Sequence, residues 1–131
     1  MTEDQIHAAI YQYLRISLPG AVIHHSRNEG NRGGRRGLAD GARGKRMGVR
    51  AGFPDLVIFW RGQVAFVEVK GPRGVISAAQ RECRDDLAGA GFDNWHVCRS
   101  IEDAESVVAS MRDGWRSIGE IARGMVEGVG E

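Results

Sequence analysis

The stretch from Gly52 to Gly71 constrains this chain most. Two apolar segments, Asp55 to Trp60 and Gln63 to Lys70, flank an Arg61-Gly62 pair, and charged residues stand only at their outer ends. Runs of this length bounded by turn residues read as strands, and the short turn makes them a hairpin. An antiparallel hairpin returns its second strand beside the first, so Asp55 is expected to arrive next to Glu68 and Lys70. Side chains alternate along a strand, which puts Glu68 and Lys70 on one face and Val69 on the other. Both strands are nearly continuously apolar, so both faces of the hairpin are expected to be covered. Charge gathered at such a place costs several kcal/mol per group unless something compensates it. One resolution is an ion pair from Lys70 to Glu68 or Asp55. The other is a hard divalent cation: Mg²⁺ takes one or two carboxylates and keeps several waters, and Asp55 with Glu68 is the right number and kind. Spacing alone leaves both open.

The remaining elements read around this hairpin. Thr2 to Leu18 is a helix, with Ile6, Ala9, Ile10, Tyr13 and Leu14 on one face, a Thr2/Gln5 capping box, and Pro19-Gly20 as its stop. Ala21 to His25 is a short strand. Ser77, with Gln80 at the capping-box position, opens a helix to about Ala90 that Gly91 ends. Trp95 to Cys98 is a last strand, and Ser100 with Asp103 opens a helix closed by Gly114. Strands and helices in this order predict a mixed α/β sheet flanked by helices. The 131 residues suit one compact domain, here 1–114, followed by a tail, 115–131, that reads as a weak amphipathic helix in need of a partner surface.

Residues 26 to 52 stand apart. The formal net charge of the chain is only +1, yet eight Lys or Arg residues (Arg27, Arg32, Arg35, Arg36, Arg43, Lys45, Arg46, Arg50) face two acids between His24 and Arg50. Glycines at 30, 33, 34, 37, 41, 44 and 48 and the scarcity of apolar residues predict a long mobile loop. Arginine dominates the block, and its planar fork suits phosphate, so these residues are expected to bind a nucleic-acid backbone. His24 and His25 end a strand beside this block and are expected to face water, and His7 is placed on the polar side of the first helix. No histidine spacing suggests zinc, Cys83 and Cys98 form no metal-type or disulfide pattern, and no apolar run approaches the ~20 residues of a membrane span. A reducing cytoplasm is the default location.

Pro54-Asp55 followed by Glu68-Val69-Lys70 resembles the signature of the PD-(D/E)XK nuclease superfamily. Gly52-Phe53-Pro54-Asp55, then Phe66-Val67-Glu68-Val69-Lys70-Gly71-Pro72-Arg73-Gly74, then Ser77-Ala78-Ala79-Gln80, more closely resembles the VRR-NUC family within it, over Glu3 to about Val108. The resemblance implies a restriction-endonuclease-like core and a Mg²⁺-dependent DNA endonuclease, with Mn²⁺ as substitute. Asp55, Glu68 and the main-chain carbonyl of Val69 would hold the metal, and Lys70 would orient or deprotonate the attacking water. Gln80 would position that water or the lysine, and Glu3, expected on the inward helix face, matches the first-helix glutamate. Small members of the family resemble dimeric resolvases of four-way junctions, which implies branched DNA and a homodimer. A non-catalytic DNA-binding module and a sequence-specific restriction-type endonuclease are the alternatives.

Overall fold

The computed structural model describes residues 1–26, 41–116 and 118–129. The elements run α1 (Glu3–Ser17), β1 (Val22–His25), α2 (41–46), β2 (Leu56–Trp60), β3 (Gln63–Val69), α3 (Ala78–Gly89), β4 (Trp95–Cys98), α4 (Ile101–Arg112) and α5 (Ile118–Val129). The strands form one sheet in the order β1-β2-β3-β4, antiparallel except that β4 runs parallel to β3. A parallel neighbour requires a crossover, and α3 supplies it.

The hairpin forms as its composition dictates. Arg61 (φ 48°) and Gly62 (φ 78°) both adopt left-handed backbone, the two-residue turn whose twist matches that of paired strands. Arg61 stacks over the Trp60 ring at 4.2 Å. The register pairs Leu56 with Val67, which puts the start of β2 beside the end of β3.

One face of the sheet carries the main core. Leu56, Ile58, Trp60, Ala65, Val67, Val69 and Cys98 pack with Ile6, Ile10 and Leu14 of α1 and Ala104, Val107, Val108 and Met111 of α4. Each large aliphatic side chain buried this way contributes about 1.5–3 kcal/mol. The helices are capped as expected. Thr2 and Gln5 exchange bonds at 3.2 and 2.8 Å, and Ser77 and Gln80 do so at 3.1 and 2.9 Å. Trp60 Nε1 donates to the Pro19 carbonyl at 2.9 Å and Arg112 donates to that of Ser17 at 2.7 Å, tying the end of α1 to the sheet and to α4. Buried Asn94 is satisfied by Ser110 (3.2 Å) and His96 (2.6 Å).

The second face is covered unevenly, which corrects one expectation. Near Asp55, Val57 and Phe66 are buried, and Phe53 meets Phe66 edge-on at 6.2 Å. At the far end of the hairpin Phe59 is 47% exposed, because α3 reaches only the site end of this face and buries little besides Cys83.

The segment expected to be a long loop, mobile or partly helical, does contain helix. Residues 41–46 are helical, and Met47 and Val49 donate back to Arg43 and Gly44 carbonyls to close the turn. Ala42, Arg43, Lys45 and Arg46 are good helix formers, and residues 41–46 carry no apolar period to betray the helix. The rest of the predicted loop, 27–40, lies outside the described residues. In the tail, Trp115 is held by Gln63 (3.0 Å) and Asp93 (2.8 Å), and α5 follows with Ile121 and Met125 exposed. No helix among the described residues is long and apolar enough to cross a membrane.

Candidate active site

Asp55 sits one residue before β2, where the strand pairing delivers it to the end of β3. Its Oδ2 accepts the Val69 N–H at 2.8 Å, so the carboxylate is held by the neighbouring strand. Glu68 lies on β3 with β2 on one side and β4 on the other, and is 2% exposed. Its Oε1 accepts from Gln80 Nε2 at 3.0 Å. Its Oε2 is buried without a hydrogen-bond partner. A lone buried carboxylate oxygen is costly, and the titration reflects that. Burial first, then hydrogen bonding to Asp55 and the charge of Asp55, push the Glu68 carboxyl up to about 9, with Glu3 adding and Lys70 opposing. At neutral pH the apo pair therefore holds one proton, which lets Oε2 donate toward Asp55.

Lys70 follows on the same face as Glu68. Its N–H donates to the Cys98 carbonyl at 3.0 Å, extending the ladder to β4. Among the described residues its ammonium makes no ion pair; those found join Arg50 to Asp86 and Arg84 to Asp85. The ion-pair alternative for this cluster is therefore not what the geometry forms. What remains is two carboxyl groups beside a lysine that makes no ion pair among the described residues. No group of three or more His, Cys, Asp or Glu side chains placed to hold a metal ion occurs among the described residues.

Gln80 forms the expected cap and makes one contact that was not expected, to Glu68 rather than to Lys70. Its Oε1 caps α3 through the Ser77 N–H while its Nε2 holds Glu68. Glu3 departs from expectation: it is exposed, because the apolar contacts of α1 begin only at Ile6. Its charge nevertheless reaches Glu68.

Of the basic residues, Arg27, Arg32, Arg35 and Arg36 lie outside the described residues. Arg43, Lys45 and Arg46 are exposed on α2. Arg50 is engaged, donating to Asp86 of α3 at 2.5 Å. Gly52 (φ 74°) seats the same segment on α3: a Cβ there would lie 2.4 Å from the Ala79 carbonyl and 2.6 Å from Gln80 N.

Sequence reasoning missed His7. It is half-buried, not on a solvent face, and its ring packs against that of His25 with centroids 4.3 Å apart. Burial and then the His25 charge lower its pKa, while Asp55, Asp4 and Glu3 oppose, so His7 borders the acid cluster. Two signals were available: His7 is one helical turn beyond Glu3, and His25 is the last β1 residue, paired with Leu56 next to Asp55.

Fold and site together define a mixed α/β domain with an acid pair, one member of it buried, and a lysine at the end of a hairpin. Residues 3–101 match the model of the VRR-NUC domain, and the chain belongs to that family. The family is nuclease-related, which makes this a nuclease-type domain with DNA as the substrate class it implies. Among solved structures the chain is similar to one described as a VRR-NUC domain protein, at 24% identity over 92% of this chain and 90% of that one, with a TM-score of 0.59. At that identity the likeness is one of fold. No curated protein sequence matches the chain significantly.

Proposed function

We propose that the chain is an endonuclease of the PD-(D/E)XK type that hydrolyses DNA phosphodiester bonds with Mg²⁺, or Mn²⁺ in its place. The observation that carries this reading is the buried Glu68 carboxyl, whose Oε2 accepts no hydrogen bond, beside Asp55 and a Lys70 that makes no ion pair among the described residues. A fold-stabilising cluster would pair the lysine with one of the two acids. Asp55, Glu68 and the Val69 carbonyl would hold the cation, which when bound supplies Lewis-acid polarisation of the scissile phosphate. Lys70 orients the attacking water and stabilises the charge that develops on the phosphoryl oxygens. Gln80 keeps Glu68 in place, and Glu3 and His7 add charge and hydrogen-bonding capacity at the rim.

The cationic residues from Arg27 to Arg50 supply a salt-dependent, sequence-independent grip on the backbone. We extend the reading to branched DNA. One chain carries one acid–acid–lysine set, whereas paired cuts in opposing strands need two, which a C₂ homodimer provides. The exposed Ile121 and Met125 of α5 are the contact surface we assign to it.

The test is cleavage of end-labelled four-way junctions, flaps, nicked and plain duplexes at fixed salt, with Mg²⁺, Mn²⁺ or EDTA, by the parent and Asp55→Asn. Cleavage confined to the divalent cations and lost in Asp55→Asn supports the reading. Cleavage that survives EDTA, or no cleavage of any substrate with binding intact, refutes it; the second result would leave a non-catalytic binding module.

A further inference from the structure

Lys70 has no ion pair to orient it among the described residues, yet an effective group must be held to within fractions of an ångström. What touches its side chain is the turn that follows. Gly74 N donates to the Gly71 carbonyl at 3.1 Å, folding residues 71–74 back over the lysine. A Cβ at Gly74 would lie 3.2 Å from Lys70 Cδ and 3.3 Å from its Cβ, so the glycine backbone lies against the methylene stem.

That turn has a second tether. Arg99 Nη1 donates to the same Gly71 carbonyl at 2.7 Å. Arg99 is itself anchored, its backbone N–H donating to Asp103 at 2.8 Å in the first turn of α4, beside the Ser100 cap. Charge-assisted bonds of this kind are about twice as strong as neutral ones. The Cys98 carbonyl, next in the chain, accepts the Lys70 N–H. The junction of β4 and α4 thus grips both the backbone of Lys70 and the turn that packs on its stem.

We propose that Arg99 is a positioning residue for Lys70, clamping the Gly71–Gly74 turn across the lysine stem so that the ammonium is aimed by packing. The proposal rests on the nuclease reading only for its kinetic consequence; the clamp itself can be tested without turnover. Lys45 and Lys70 are the only lysines in the chain. Lys45 is exposed on α2 and serves as an internal reference.

The experiment compares the parent with Arg99→Gln, Arg99→Lys and Gly74→Ala in two assays. In the first, the full chain is treated with an amine-selective acylating reagent and labelling is followed by peptide mass spectrometry. Release of the clamp is expected to change the Lys70 rate at least threefold in Arg99→Gln and Gly74→Ala, with Lys45 unchanged. Arg99→Lys, which keeps a cationic donor, is expected to lie between them and the parent. In the second, cleavage in Mg²⁺ is expected to lose about 10–100-fold in kcat in Arg99→Gln with KM near the parent value, the scale seen when groups supporting a reactive residue are removed. Unchanged Lys70 labelling in every variant overturns the proposal. So does a change shared equally by Lys45, which reports general loosening. Changed Lys70 labelling in a protein that cuts no substrate upholds the clamp and refutes the nuclease reading instead.

Discussion

Glu68→Gln in the cation-free protein should remove most of the dependence of stability on pH between pH 7.5 and 8.5. In the folded chain burial and Asp55 push the Glu68 carboxyl up to about 9, against an ordinary value of 4.5. A carboxyl raised on folding contributes stability that is fully present below pH 4.5 and is lost as pH rises through about 9. One proton per molecule sets the slope, so the parent loses at most about 1.4 kcal/mol per pH unit in this window. Other groups contribute only a minor part of the slope in this window. His7 and His96 are both lowered below 6.5, and the cysteines begin to titrate only near their ordinary 9.0 in the unfolded chain. Glutamine mimics the protonated acid: its carbonyl accepts from Gln80 and its amide donates toward Asp55. At pH 7.5 the variant should therefore match the parent to within about 1 kcal/mol, the net worth of one hydrogen bond. Urea unfolding with EDTA at the two pH values measures both. A parent whose stability is flat across the window, or a variant with the same slope as the parent, refutes the assignment of the shared proton to this site. The same proton must leave for a cation to bind, so apparent Mg²⁺ affinity should rise up to tenfold per pH unit over this range.

Lys70→Ala should leave fold and DNA affinity intact while lowering cleavage by about 10²–10⁴-fold in single-turnover assays, the usual worth of a positioned proton-transfer group; near-parental rates would remove Lys70 from the mechanism. Replacing exposed Arg43, Lys45 and Arg46 with glutamine should weaken binding to junction and duplex alike and reduce the salt slope by about 0.9 for each phosphate no longer neutralised, read from titrations at several salt concentrations. Weakening confined to the junction would mean that α2 reads DNA shape. Gly52→Ala should destabilise by about 1–3 kcal/mol from its left-handed backbone alone, with the collision against Ala79 adding to it, and thermal melting checks this.

Where the determinants were local, the fold was legible in the chain. Both capping boxes, the Arg61-Gly62 turn and the Gly91 and Gly114 stops form where composition places them. The hairpin brought Asp55, Glu68 and Lys70 together because strand pairing and alternation leave little choice. Contacts set by tertiary docking were harder. Nothing in the capping pattern of Ser77 and Gln80 says that the same amide also reaches Glu68, which depends on where α3 crosses the sheet. His7 lies off the apolar stripe of α1, and only the position of β1 turns its side of the helix toward the acids. Glu3 carries the helix period but sits in a turn that no strand covers. The helical residues 41–46 are too rich in arginine and glycine to leave a periodic apolar trace.

The close seat of Gly52 on Ala79 and Gln80 has a mechanical consequence. Residues 41–52 and the first turn of α3 meet backbone to backbone there, with Arg50 and Asp86 fastened a few residues further along. Gln80 is the next link, and it ends on Glu68. A force applied to the cationic segment therefore has a short load path to the most buried acid of the site, whose last link is the Gln80 side chain. Nucleic acid that displaced α2 would load this path toward Glu68.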